Sequence, residues 1–259
     1  MSNRSHTEFI LSPILDILKE TVTACAGIGN NMETQSLSEY VLQTTFLKMT
    51  GASEQKLKCI CWEMATYDYD YRYKYLNNSY GECSAYNDKQ KVYIAIIKNI
   101  QKLDNSFSIS SLYEDIEILG RDSWNITNTI EQKKKGLSQK VYKEIESTLN
   151  DSPLVIWKQH DYEFYKSNWE KVLFLDFATQ NSLLHDTFQN YFTSIVYKHR
   201  NRCAHNLKSY QNNIPTLTSL LDTNYDYENY FFRFAILILL DEIFMRLFKK
   251  YLSSIDSIL

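Results

Sequence analysis

The sequence FFRFAILILLDE, at residues 231–242, is a nearly continuous apolar run. Arg233 interrupts the run, and Asp241 and Glu242 end it well short of the ~20 apolar residues that a membrane span needs. Further apolar residues follow it at helical spacing, which is typical of a buried helix in a soluble protein. We therefore predict that the main core helix covers about residues 225–253.

The composition extends the helical prediction to the whole chain. Its 259 residues suffice for one large core or two small ones, and 44% of them are hydrophobic, as in globular proteins. Only six glycines and three prolines are present, which argues for long helices and against a β-sandwich or barrel. The polar start of the chain does not resemble a signal peptide. We expect an all-α, cytoplasmic protein.

Several helix boundaries are predicted at prolines and glycines. Pro13 is expected within the early turns of the first helix, and Gly51 is expected to end a second helix before Ser53 begins a third. Gly136 is predicted to separate two later helices. The tyrosines at alternate positions from 67 to 75 have the period of a strand, but the helical patterns on both sides favour a helix.

The clearest internal boundary is Asp151-Ser152-Pro153, which has the composition of a turn. It separates an N-terminal helical region, residues 1–150, from a more aromatic region, residues 151–259. The N-terminal region either belongs to the same core or forms an attached sensor. In the second region we predict a helix from about Thr179 to about Cys203.

The end of that helix falls in KHRNRCAHN, at residues 198–206, where the chain concentrates its chemistry. These residue types suit the cleavage of RNA without a metal. That reaction needs a base for the 2′-OH, an acid for the leaving 5′-oxygen and positive charge at the phosphate. His205 is the candidate acid/base, because histidine has the side-chain pKa nearest to neutral pH. Arg200 keeps its charge and presents a planar fork to phosphate oxygens, and Asn201 can orient either group or the ribose.

Arg200-Asn201-Arg202-Cys203-Ala204-His205 resembles the Arg-x4–6-His motif of the HEPN superfamily, including the asparagine directly after the arginine. The resemblance implies a HEPN-like helical bundle with additional helices, whose core would be residues 151–259. It also implies a metal-independent endoribonuclease that needs no cofactor and is usually a homodimer. The products would be 2′,3′-cyclic phosphate and 5′-hydroxyl ends. Such proteins often act as toxins or as abortive-infection effectors against phage.

The spacing of the motif adds a constraint of its own. On one straight helix, Arg200 and His205 are about 140° apart around the axis and about 7.5 Å apart along it. The two side chains therefore cannot lie side by side. Either the helix ends between Cys203 and Asn206, or a second copy of the motif completes the site across a two-fold axis. We favour the composite site of a homodimer.

The net charge of −3 means that any RNA-binding surface must be a local patch. Near the motif, the candidate RNA contacts are Arg202, His199 and Lys208. A second basic stretch, residues 133–143, is more typical of a solvated helix face.

The alternating tyrosines are a further candidate for RNA contact. They are interleaved with Arg72 and Lys74, and aromatic rings beside cations can stack on bases. A half-buried surface between helices is the simpler interpretation, and the sequence favours it.

Other chemistries have little support. Five cysteines with irregular spacing indicate free thiols in a reducing compartment, and Cys203 is expected to pack rather than react. The acidic pairs Asp68/Asp70 and Asp241/Glu242 lack the spacing of a metal loop, and we expect them to be solvated. No metal site is predicted.

A second class of function is also compatible with the motif. Arginine and histidine at a helix end can simply favour the negative end of the helix dipole. The chain would then be a non-catalytic HEPN-like module that binds a partner protein, such as a nucleotidyltransferase or an antitoxin. A partner antitoxin or sensor is equally compatible with the ribonuclease hypothesis.

Overall fold

The computed structural model of the protein describes residues 4–28, 35–77, 81–116, 130–149, 152, 154, 178–205 and 230–257. Helices make up most of these residues, and no β-strand occurs among them. The predicted all-α fold is confirmed. Over the same ranges, no helix combines the length and the apolarity that crossing a membrane would require.

The helices follow one another along the chain with short connections where both ends are described. In order they are α1 (Arg4–Leu11), α2 (Leu15–Ala24), α3 (Gln35–Tyr67), α4 (Tyr69–Asn77), α5 (Tyr86–Leu103), α6 (Ile130–Leu149), α7 (Asp186–Tyr191), α8 (Lys198–His205) and α9 (Tyr230–Asp256). A 3₁₀ turn at Ile109–Tyr113 follows α5, and a π-helical segment at Phe192–Tyr197 joins α7 to α8.

Helix α9 is the centre of the fold. Every residue from 231 to 241 is buried, so this part of the helix is covered on all sides rather than along one stripe. It packs against α3, α5 and α6, and it also contacts α1. The predicted core helix is confirmed over residues 230–253, and it continues to Asp256.

The buried apolar side chains form one cluster that includes residues from both sides of position 150. Helices α3 and α5 come from the N-terminal region, α9 comes from the second region, and they pack directly on one another. The two regions therefore share a core. The boundary predicted at 151–153 lies outside the described residues except for Ser152, and it stays a prediction.

Several predicted helix boundaries are wrong. Gly51 and Ser53 lie inside the 33-residue helix α3, and Gly136 lies inside α6. A glycine in a helix interior costs only about 1 kcal/mol relative to alanine, which the packing of two long helices outweighs. Pro13 lies between α1 and α2 rather than inside a helix, because proline lacks the N–H that would extend α1 beyond Leu11.

The tyrosine-rich stretch is helical, as predicted. Tyr71 is buried while Tyr69 and Tyr73 are exposed, which is the pattern of one helix face rather than of a strand. The α4 helix continues α3 almost without interruption. The Asp68 N–H donates to the carbonyl of Met64 at 2.9 Å, and the Asp68 carboxylate accepts from the N–H of Tyr71 at 3.0 Å.

The prediction that Asp241 is solvated is wrong. Its side chain is buried, and its two carboxylate oxygens accept from Lys56 Nζ at 2.7 Å and from the Ile14 N–H at 2.9 Å. Lys56, also buried, donates to the carbonyl of Ser12 as well. Burial raises the pKa of Asp241, and the charge of Lys56 opposes that shift. One ion pair thus joins the α1–α2 junction to α3 and α9.

Candidate active site

The motif helix begins later than its sequence pattern suggests. We predicted a start near Thr179, but residues 178–185 are not helical: the Ala178 N–H donates to the carbonyl of Leu183 at 2.6 Å, and Ala178 has a φ of 50°. His185 caps the helix, because its Nδ1 accepts from the N–H of Thr187 at 3.4 Å. The helix continues past Cys203 to position 205.

The π-helical segment sets the direction in which the motif approaches the core. Segments of this kind insert an extra residue into a helical turn and are frequent at functional sites. The Arg233 side chain of α9 is buried and donates from Nε to the carbonyl of Ile195 within the segment, at 3.3 Å. Its guanidinium carbon also lies 5.3 Å from the ring centre of Tyr230. Arg233, which interrupts the apolar run in the sequence, therefore anchors the motif helix to α9.

One face of α8 packs into the core. Cys203 is fully buried, and its Sγ lies 3.4 Å from Nε2 of His199. The His199 ring centre is 5.1 Å from that of Phe46, and its Nε2 is 3.2 Å from the hydroxyl of Tyr230. The packing role predicted for Cys203 is confirmed.

The imidazole of His199 is neutral in this environment. Burial, together with the positive charges of Arg233 and Arg202, lowers the pKa of His199 to about 2. A neutral ring between two aromatic rings has no charge to offer a phosphate. The role of His199 as an RNA contact stays a prediction, and this geometry does not favour it.

The neutral His199 should make folding sensitive to acid. The unfolded chain takes up a proton at this residue below about pH 6.5, whereas the folded chain does not, so the free energy of unfolding falls as the pH decreases. The contribution between pH 6.5 and pH 5 is about 2 kcal/mol. Urea unfolding at pH 7 and pH 5 should therefore show a pH dependence smaller by about that amount in His199→Gln than in the wild type. Identical pH dependence in the two proteins would contradict a neutral, buried imidazole.

Arg200 faces α3, where it meets an acidic residue. Its Nη2 donates to Oε2 of Glu54 at 3.2 Å, and its Nη1 donates to Oδ1 of Asn201 at 3.2 Å. Both charged side chains are largely covered, with 27% of the Arg200 side chain and 14% of the Glu54 side chain exposed. The structure thus brings together two of the three predicted catalytic residues and adds Glu54, which sequence reasoning missed.

Behind Arg200 lies a cavity of about 10 Å³ that Glu54, Lys89 and Phe192 help to line. Lys89 is buried, donates to the carbonyl of Cys83 at 2.7 Å, and lies 5.7 Å from the ring centre of Phe192. Burial lowers the pKa of Lys89 to about 8, although the charge of Glu54 opposes that shift. A cavity of this size has room for about one water. The cavity is therefore too small to hold a nucleotide.

The outer side of α8 carries the remaining residues of the motif. Positions 198, 201, 202 and 205 recur at helical spacing and so share one side of the helix. Lys198 is exposed, and Asn201 and Arg202 are half-buried. The His205 side chain and the whole of Lys208 lie outside the part of the chain that the structure describes. Because positions 200 and 205 belong to one α-helical segment, the offset of about 140° between them stands.

The other candidate sites have structural roles. All five cysteines are buried free thiols, as predicted. In the second basic stretch, Lys140 Nζ lies 3.5 Å from a carboxylate oxygen of Glu242, and Lys133 donates to the carbonyl of Glu114. The described part of the chain contains no cluster of three or more histidine, cysteine or acidic residues suited to a metal ion.

No protein-family model, curated protein or solved structure matches this chain. The likeness to HEPN proteins accordingly rests on the motif alone, set in an all-α fold.

Proposed function

We propose that this chain is a metal-independent endoribonuclease of the HEPN type, which acts as a homodimer in the cytoplasm in phage defence or as a toxin. The observation that supports it best is the fixed position of Arg200. Glu54 and Asn201 each accept a hydrogen bond from one of its nitrogens at 3.2 Å. Arg200 lies on α8, which carries His205 about one and a half turns later. An arginine held in advance loses little entropy when it binds a phosphate.

In the proposed reaction, Arg200 stabilises the charge that builds up on the phosphate. A guanidinium has five N–H donors, so the bonds to Glu54 and Asn201 leave donors for phosphate oxygens. His205 takes the proton from the 2′-OH while water protonates the leaving 5′-oxygen, or His205 protonates the 5′-oxygen while water takes the 2′-OH proton. The products are a 2′,3′-cyclic phosphate and a 5′-hydroxyl, and the step needs no metal or cofactor.

The proposed dimer follows from the offset between the two residues. One copy cannot set Arg200 and His205 side by side, because they lie about 140° apart around α8. If α8 of a second copy lies against the exposed part of the Arg200 side chain across a two-fold axis, His205 of that copy approaches Arg200. Lys198 and Arg202 then flank the RNA backbone.

The direct test is cleavage of end-labelled RNA by the purified protein in the presence of EDTA. Analysis of the product ends distinguishes 2′,3′-cyclic phosphates from the 3′-hydroxyls that metal-dependent nucleases leave. Cleavage that survives EDTA and leaves cyclic phosphates supports the proposal. Cleavage that occurs only when a metal ion is added contradicts the proposal.

One observation favours the non-catalytic module as a second candidate. The charge of Arg200 is already neutralised by Glu54, as in a purely structural ion pair. Such a module would bind a partner protein, such as a nucleotidyltransferase or an antitoxin, and would not cut RNA. Expression in a host without any partner separates the two candidates, because a free ribonuclease should arrest growth and the module should not.

Removing Glu54 should lower activity through Arg200. In Glu54→Ala the guanidinium loses its anchor on α3, and we expect a decrease in kcat of up to about 100-fold with a smaller change in KM. Glu54→Gln keeps an acceptor for Nη2 and should recover most of that loss. Single-turnover cleavage at a temperature where all the variants are folded measures the effect.

The matched control for this test is Glu39→Ala, which removes an exposed acid from the same helix. It should cleave RNA at the wild-type rate. Equal activity of wild type and Glu54→Ala would show that Glu54 does not position Arg200.

A further inference from the structure

Three large aromatic side chains are exposed where α3 ends and α4 follows. Trp62 is 63% exposed, Tyr69 is 78% exposed and Tyr73 is 64% exposed. We call Trp62, Tyr69 and Tyr73 the aromatic stripe. Exposed aromatic side chains that occur as a group, unlike single ones, mark interaction surfaces.

Tyr69 and Tyr73 are four residues apart on α4 and therefore lie on the same side of that helix. Trp62 is exposed near the end of α3. Asp68 joins the two helices, since its N–H donates to Met64 and its carbonyl accepts from the Arg72 N–H, both at 2.9 Å. The buried Tyr71 lies on the opposite side, so the stripe faces solvent.

The size of the stripe argues against a protein interface. A fully buried aromatic side chain contributes about 150–250 Å², so three rings at these exposures offer about 300–500 Å². A stable protein interface buries about 800 Å² on each partner and has a core depleted of charge. Here the exposed side chains of Asp70, Arg72 and Lys74 alternate with the tyrosines of α4.

The charges near the stripe suit a nucleic acid. Arg72 is exposed three residues after Tyr69, which makes the two side chains neighbours on the helix surface. The nearby carboxylate of Asp68 is neutralised by an ion pair with Lys102, so that on α4 the exposed acid Asp70 is outnumbered by the exposed cations Arg72 and Lys74. Aromatic rings that stack on bases, next to a cation that meets the phosphates, are the elements of a single-strand binding surface.

We propose that the aromatic stripe and Arg72 bind single-stranded RNA by stacking on its bases. The inference rests on the proposed function, because the bound strand is the substrate that the motif on α8 would cut. Stacking uses the face of the ring and is tolerant of sequence. The surface therefore adds affinity for unpaired RNA without choosing the cleaved bond.

The test measures binding separately from cleavage. The probe is fluorescein-labelled oligouridine, and its anisotropy is followed with full-length His205→Ala protein, which leaves the RNA intact. Introducing both Tyr69→Ala and Tyr73→Ala into this protein should weaken RNA binding about 5- to 150-fold for each base that loses its stacking partner. The corresponding phenylalanine variant keeps both rings and should bind like the parent. Tyr40→Ala removes a tyrosine that is 63% exposed elsewhere on α3, and it should change nothing.

Each alternative outcome identifies a different failure. Unchanged binding by the double alanine variant, or no binding by the parent, overturns the RNA surface. A change in oligomeric state with unchanged RNA binding also overturns it, and shows that the stripe is a protein interface. Ring-dependent binding by a wild-type protein that never cuts RNA supports the stripe while contradicting the ribonuclease.

Discussion

Replacing His205 with alanine is expected to lower the rate of RNA cleavage by about 10²–10⁴-fold, the usual contribution of a general acid/base. The reason is chemical, because histidine is the side chain whose ordinary pKa lies nearest to neutral pH. His199 lies on the inner side, and burial holds it in its neutral form. The measurement is single-turnover cleavage of labelled RNA in EDTA, with the variant and the wild type purified in parallel.

The control is His185→Ala, which removes an exposed histidine that lies outside the motif and caps α7. Loss of the cap costs about 1 kcal/mol, so at a temperature where the variant is folded it should cut RNA at the wild-type rate. If His205→Ala also cut at that rate and left the same product ends, His205 would have no part in the reaction.

Mixing two inactive variants tests the composite site. His205→Ala retains Arg200, and Arg200→Ala retains His205, so a mixed dimer holds one complete pair only if the pair forms between copies. Recovery of cleavage on mixing is expected, because the offset of about 140° prevents the pair from forming within one copy. No recovery in mixtures shown to contain mixed dimers would place both residues of the pair in one copy.

The fold class was predictable because its signals are local. Apolar residues at helical spacing mark α5 and α9, and the scarcity of glycine and proline excludes most sheet architectures. Boundaries were less predictable, since a single glycine costs less than a long helix gains by packing. Gly51 and Gly136 were therefore misread as helix ends.

The environment of the candidate site depends on contacts that sequence spacing does not encode. Glu54 is 146 residues from Arg200 along the chain, and no motif links them. Lys89 resembles any surface lysine until the fold buries it next to Phe192. What sequence can supply is the chemistry of Arg200 and His205, together with the angular offset that follows from their spacing on a helix.

The burial of Asp241 likewise depends on contacts that sequence spacing does not encode. Replacing Asp241 should have the largest effect on the free energy of unfolding. Asp241→Ala is expected to lower the free energy of unfolding by about 3–5 kcal/mol, because it leaves the ammonium of Lys56 buried without a counter-charge. The Ile14 N–H loses its acceptor as well. Urea denaturation followed by circular dichroism measures the loss. Asp16→Ala breaks an exposed ion pair with Lys19 and should cost no more than about 1 kcal/mol.

Two further variants separate the ion pair from simple packing. In Lys56→Met with Asp241→Leu, both charges are replaced by apolar side chains, and most of the lost stability should return. If the double variant were as unstable as Asp241→Ala, the loss would come from the shape of the site rather than from the unpaired charge.

Lys56→Met alone leaves the carboxylate of Asp241 buried without a cation. The pKa of Asp241, which burial already raises, should then rise further, so the folded chain keeps a proton that the unfolded chain releases near pH 4. In this pH range the folded chain binds more protons than the unfolded chain. The free energy of unfolding must therefore fall as the pH increases. Between pH 4 and pH 7, Lys56→Met should lose stability more steeply than the wild type. Parallel pH profiles of the two proteins would mean that the charge of Lys56 does not act on Asp241.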